Sequence, residues 1–205
     1  GPQVYATDGS VVALKNDAGR WCVKAGCAVV SSAQGNPTLQ VALRGRAEEL
    51  RKSYYAELAA LIVLHQVADQ EHQHTWVGDN LSVVNLYRSI AEHGWLYSPR
   101  QLERMPARSL TRWLIQLASA AKFSFAAVHQ VSHLSESSAA LRQRDHHVIL
   151  GQADAAAGEA RSSTAHILNV SGCNPGVGPV ELYDSATGLR VDSPVGPEVE
   201  RRRQE

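Results

Sequence analysis

Four carboxylates sit where their types and spacing could do chemistry. Asp8 follows Val4-Tyr5-Ala6-Thr7 and precedes Gly9-Ser10, and Asp79 closes the short run Gln73 to Gly78 (QHTWVG) just before Asn80. Glu57 lies among strong helix formers with Tyr54, Tyr55 and Ala60, and Asp154 falls with Leu150, Ala153 and Ala157 at helical spacing. Singly, each has a plain structural reading: Asp-Gly as a turn, or Glu near a helix start as a partner of the helix dipole. Together they would repel, and they cannot all ionise cheaply without cations. Hard divalent ions remove that cost, and Mg²⁺ suits carboxylates combined with a substrate phosphate. Two such ions about 4 Å apart would clamp the attacking and leaving oxygens of a phosphodiester displacement.

The surrounding elements must bring the acids to one place. Val4 to Asp8 alternates as a strand, so Val4, Ala6 and Asp8 share a face that ends in a carboxylate. Asn16-Asp17-Ala18-Gly19 turns the chain into a second strand, Arg20 to Ser31, and Ser32 to Pro37 turns it into a third, Thr38 to Gly45. From Arg46 to Glu71 the sequence predicts a helix carrying Leu58, Leu61, Ile62, His65 and Ala68. A helix between the third and fourth strands is a crossover, so the fourth strand is expected parallel to the first. Asp8 and Asp79 would then end neighbouring strands at the crevice where open α/β sheets place their sites. Asn80 caps the next helix, and Ser98-Pro99 starts another that is interrupted at Met105-Pro106. A fifth strand is expected over Lys122 to Val131 and a last helix over about Arg144 to Ala160.

Composition bounds the rest. The 205 residues suit one domain of about 150 residues, here 1–161, followed by a Gly/Pro/Ser-rich linker or tail over 162–205 with a hairpin at Thr187-Gly188. No apolar run of about 18 residues offers a membrane span, and no charged-apolar-small segment opens the chain. Gly1-Pro2 in place of Met reads as the scar of a cleaved tag, so the chain is taken as an excerpt of a larger polypeptide. Cys22, Cys27 and Cys173 lack zinc spacing and are expected as reduced thiols of an intracellular protein, in cytoplasm or nucleus. Net charge is zero, so a polyanion would need a local patch. Ser98 to Lys122 supplies one, with Arg100, Arg104, Arg108 and Arg112 at four-residue steps, Lys122, and a single Glu.

Over Val4 to Arg161 the chain resembles the ribonuclease H family, type 1. The resemblance is carried by Thr7-Asp8-Gly9-Ser10, Ala56-Glu57-Leu58, Gly78-Asp79-Asn80, Val128-His129-Gln130-Val131-Ser132-His133 and Gln152-Ala153-Asp154-Ala155-Ala156-Ala157, in that order. It implies an α/β, ribonuclease H-like fold with a five-stranded mixed sheet, three strands antiparallel and two parallel, flanked by helices. It further implies an endonuclease that cuts the RNA strand of RNA–DNA hybrids with two Mg²⁺ ions, or Mn²⁺ in their place. Asp8, Glu57, Asp79 and Asp154 map to the metal-binding acids and His133 to the mobile histidine. Gly9, Ser10 and Asn80 fall beside the acids against the nucleic acid, and the Arg-rich stretch stands where some members carry a basic protrusion. Ser132 replaces the usual Gly before the histidine, and 20 residues separate His133 from Asp154, which keeps His129, His146 and His147 as alternatives. Domains of this kind occur in reverse-transcribing retroelements, which makes a reverse transcriptase domain of the same polyprotein an expected partner. Three other readings share parts of the pattern: a connection domain that binds nucleic acid without cutting, a transposase- or integrase-like nuclease, and a protein-interaction module.

Overall fold

Alternation along the first strand divides the molecule into layers. In the computed structural model, which describes residues 1–33, 37–94, 97–132, 143–171 and 183–192, β1 (Val4–Lys15) pairs antiparallel with β2 (Trp21–Ser31), and β2 with β3 (Pro37–Arg44). Ala6, Ala28, Val30 and Val77 face one side and pack on Ile149, Ala153, Ala156 and Ala157. Those last four lie on α6 (Arg144–Ala160). Tyr5, Cys27, Val29 and Leu43 face the other side, where the remaining helices form the larger apolar core. The cysteines divide accordingly: Cys22 is exposed and Cys27 is buried.

Expected as one helix, Arg46 to Glu71 is two. α1 (Ala47–Leu50) stops at Arg51, Lys52 is extended, and α2 (Ser53–Val67) restarts in a new direction beneath the sheet. Every residue of α2 from Tyr55 to His65 is buried, as suits a helix apolar on all sides. It returns the chain to β4 (Thr75–Gly78), which lies parallel to β1 as the crossover required. Next come α3 (Leu81–His93), α4 (Pro99–Arg104) and α5 (Arg108–Ala120). Asn80 caps α3 by accepting from the Val83 amide, and Ser98 with Gln101 forms a complete capping box on α4. β5 (Ala126–His129) is shorter than expected because β4 offers only four residues to pair with.

The sheet order is β5-β4-β1-β2-β3-β6, so the five expected strands are joined by a sixth. β6 (Ile167–Asn169) pairs parallel with β3 and lies inside 162–205, the stretch expected as linker or tail. Residues 183–192 also pack into the fold: Val191 and Asp192 are buried, and Tyr183 bridges Arg190 around the turn foreseen at Thr187-Gly188. Polar composition suggested a solvated segment, but its charges are matched by buried partners. Arg46 pairs with Glu49 at 2.7 Å and with Asp184 at 3.3 Å, and the Asp192 amide donates to Glu49. Asp192 in turn accepts from the Ser109 amide at 2.9 Å and from its hydroxyl, capping α5, while Arg190 donates to the same hydroxyl.

Two glycines set how closely the helices approach. A Cβ on Gly9 would lie 2.6 Å from Ala56 of α2, and one on Gly26 would lie 2.5 Å from the Arg161 amide at the end of α6. Among the described residues, no helix is long and apolar enough to cross a membrane.

Candidate active site

Strand register places the first two acids. Ala6 pairs with Val77 across the parallel β1–β4 ladder, so two residues further along both chains Asp8 and Asp79 stand side by side. Glu57 arrives from below on α2, and its position depends on Gly9. With no side chain in the way, the Gly9 amide donates both to Asp8 Oδ1 at 2.9 Å and to Glu57 Oε1 at 3.2 Å. Carboxylate oxygens of Asp8, Glu57 and Asp79 all lie within 4.8 Å of one another. Asp154 comes from the opposite layer on α6 and is exposed, and it approaches Asp8 closely enough to bear on its ionisation.

The electrostatics follow from that crowding. Burial pushes the Asp8 carboxyl up to about 7, reinforced by the charges of Asp79 and Asp154 and opposed by a hydrogen bond with Glu57. Burial, then the charges of Asp8 and Asp79, hold Glu57 well above the usual carboxylate range. These hard oxygen donors span little more than the width of a Mg²⁺ coordination shell, about 4 Å across. A set of acids that resists ionising together gains most from a divalent cation, so the residues fit the metal that the sequence implied.

The histidines separate by position. His133 lies outside the described residues. His129 Nε2 donates to the Asp79 carbonyl at 3.0 Å and so fixes the backbone that carries this acid. His147 lines a cleft with Ser132, Leu150, Gly151 and Asp154, while His146 lies beside Val4 and Ser32, near the start of β1. Neither the His129 tether nor the Gly26 approach was read from the sequence, since each is a contact between elements distant along the chain. Ser10 is half-buried on β1 just beyond Asp8, and Asn80 spends its side-chain oxygen on the α3 cap.

The arginine steps do not form one face. Arg100 and Arg104 are exposed on α4, whereas Arg108 and Arg112 are half-buried on α5. Arg108 donates to the Val191 carbonyl at 3.1 Å, which commits it to the C-terminal segment. The break at Met105–Ala107, where Ala107 adopts φ 49°, turns α5 away from the direction of α4.

No protein-family model matches the chain, and no curated protein matches it in sequence. Solved structures do. The crystal structure of the native protease-reverse transcriptase of prototype foamy virus is similar at a TM-score of 0.52 and 15% identity, over 79% of this chain and 21% of that one. A foamy viral protease-reverse transcriptase in complex with RNA/DNA hybrid gives a TM-score of 0.51 and 15% identity, over 78% and 20%. The solution structure of the prototype foamy virus RNase H domain gives 0.48 and 14%, over 78% of this chain and 93% of that domain. This chain thus spans about a fifth of the length of the two reverse transcriptase chains. The strand order β5-β4-β1-β2-β3, with β1 and β2 antiparallel and β1 and β4 parallel, is a ribonuclease H-like fold. The Asp8–Glu57–Asp79 cluster, with Asp79 half-buried, lies where β4 ends beside β1, which runs on through Gly9 and Ser10 to Lys15 instead of ending at Asp8 as expected.

Proposed function

We propose that this chain is a ribonuclease H: a Mg²⁺-dependent endonuclease that hydrolyses the RNA strand of RNA–DNA hybrids. The observation that carries the reading is the convergence of Asp8, Glu57 and Asp79 within 4.8 Å, with Asp154 beside Asp8, from four separate elements of a ribonuclease H-like fold. A scaffold that only bound nucleic acid would gain nothing from burying Asp8 and Glu57 where their charges oppose one another. Asp8, Glu57, Asp79 and Asp154 would hold the metal, with Mn²⁺ as an alternative to Mg²⁺. Bound divalent metal supplies charge neutralisation at the phosphate and activates water for attack. The chain's own part is to position: Gly9 fixes Asp8 and Glu57 through one amide, and His129 anchors the Asp79 backbone. Asp154 stands on the solvent side of the cluster, where a phosphodiester approaches.

A place within a reverse transcriptase polyprotein is supported by the likeness to the foamy viral chains, one of them bound to an RNA/DNA hybrid. The test is cleavage of labelled hybrid, duplex DNA and duplex RNA with Mg²⁺, with Asp79→Asn as control. Cleavage confined to the RNA of the hybrid and abolished by Asp79→Asn is expected. Cleavage of duplex DNA would favour the transposase-like alternative, and binding of hybrid without cleavage would favour the connection-domain alternative.

A further inference from the structure

The β1–β2 hairpin does not stop at the site. Its pairing continues through Val12 with Lys24 and Leu14 with Cys22 to Lys15 with Trp21. At about 3.3 Å per residue, Lys15 lies ~23 Å beyond Asp8 along the strand. There the indole of Trp21 has Lys15 Nζ over its ring at 5.1 Å and the Arg51 guanidinium at 4.8 Å. Arg51 also meets Glu48 at 3.2 Å, with both side chains more than a third exposed. Arg20 and Lys52 are exposed close by, Asp17 and Glu48 are the acids that reach solvent in this stretch, and Glu49 is buried against Arg46. A chain with no net charge therefore carries a local excess of cations around a half-buried aromatic ring.

A cation over an exposed indole stabilises by only about 0.5–1 kcal/mol, so hairpin stability gives little reason to gather this many cations there. Exposed ammonium and guanidinium groups beside a flat ring suit a nucleic-acid backbone, where cations take phosphates and the ring takes sugar or base. A duplex strand carries a phosphate about every 3.4 Å, so ~23 Å corresponds to about seven nucleotides.

We propose that Lys15, Trp21 and Arg51 form a second nucleic-acid contact that holds the phosphate backbone of the duplex about seven nucleotides from the acid cluster. This rests on the nuclease reading of that cluster. The contact holds register without reading sequence, and it favours substrates long enough to reach it.

Two hybrids test it, one of about 6 base pairs, whose ~20 Å is too short to span from the cluster to the hairpin end, and one of about 20. Each is titrated in Ca²⁺ at several salt concentrations against the parent, Lys15→Gln plus Arg51→Gln, and Trp21→Leu, with thermal unfolding to show that the variants are folded. The parent is expected to bind the long hybrid more tightly than the short one. The double variant should lose on the order of tenfold on the long hybrid, with a salt slope lower by about two units, and nothing on the short one. Trp21→Leu should weaken the long hybrid alone. Unchanged affinity and slope for the long hybrid would overturn the proposal, as would equal losses at both lengths. A parent that binds neither hybrid would overturn the nuclease reading and this contact with it.

Discussion

Asp8 and His65 are buried ionisable residues whose folded-state environments oppose their charged forms, and they predict opposite responses to pH. Asp8 titrates in the folded protein at about 7, above its unfolded value, so the fold binds an extra proton between about 4 and 7. In chelator, its share of stability therefore rises as pH falls through that window. Asp8→Asn, which keeps an acceptor for the Gly9 amide, should stabilise the metal-free protein at pH 7 by up to about 3 kcal/mol and abolish cleavage. Thermal unfolding with and without Mg²⁺ checks it, and Mg²⁺ should stabilise the parent far more than the variant. His65 is buried against Phe125 and Tyr87, and burial lowers its pKa to about 4. Here the unfolded chain binds the extra proton, so stability falls as pH drops from about 6.5 to about 4, by about 3 kcal/mol in full. His65→Leu should remove that loss. The difference between the two unfolding curves, measured at intervals across this window, should widen toward low pH.

At the scale of elements, helix ends and strand register do most of the positioning. Asp79 reaches Asp8 because β4 pairs with β1 at Ala6 and Val77, and the crossover helix α2 that makes this pairing parallel also delivers Glu57. The α4–α5 pair shows the limit of reading charge spacing alone. Arg100, Arg104, Arg108 and Arg112 recur at helical intervals, but the turn at Met105–Ala107 leaves two exposed on α4 and draws Arg108 onto the C-terminal segment. Arg100→Ala plus Arg104→Ala should lower the salt slope of hybrid binding by about two units with little change in stability. Arg108→Ala should instead lower the unfolding midpoint and leave the slope nearer the parent's. Binding titrations paired with urea unfolding separate the two effects.

For the whole molecule, the stretch after α6 matters more than its composition suggests. β6 extends the sheet beyond β3, and the segment 183–192 buries Asp192 against Glu49, Ser109 and the N-terminus of α5. Burial raises the carboxyls of both Glu49 and Asp192, so the cluster relies on Arg46, Arg108 and Arg190 to offset the charge. Removing one member leaves the others buried without a match. Asp192→Ala should cost about 3–5 kcal/mol by urea unfolding. A loss below about 1 kcal/mol would mean the segment only rests on the surface.

The sequence alone determined the order of the five expected strands, the facing of the first residues of β1 and the elements that carry the four acids, although Asp8 falls within β1 and not at its end. Each of these is encoded within a few residues, by alternation, helical spacing, capping residues and turn dipeptides. It also marked Asn80 and Ser98 as caps, because a cap is a contact over three positions. Only the tertiary structure decided what the C-terminal segment does, which arginines remain exposed and which histidine holds Asp79. Asp192 meets Glu49 across 143 positions and Ser109 across 83, and His129 meets Asp79 across 50. No local pattern encodes such contacts: a polar residue reads as solvated until the partner that satisfies it in the interior is known.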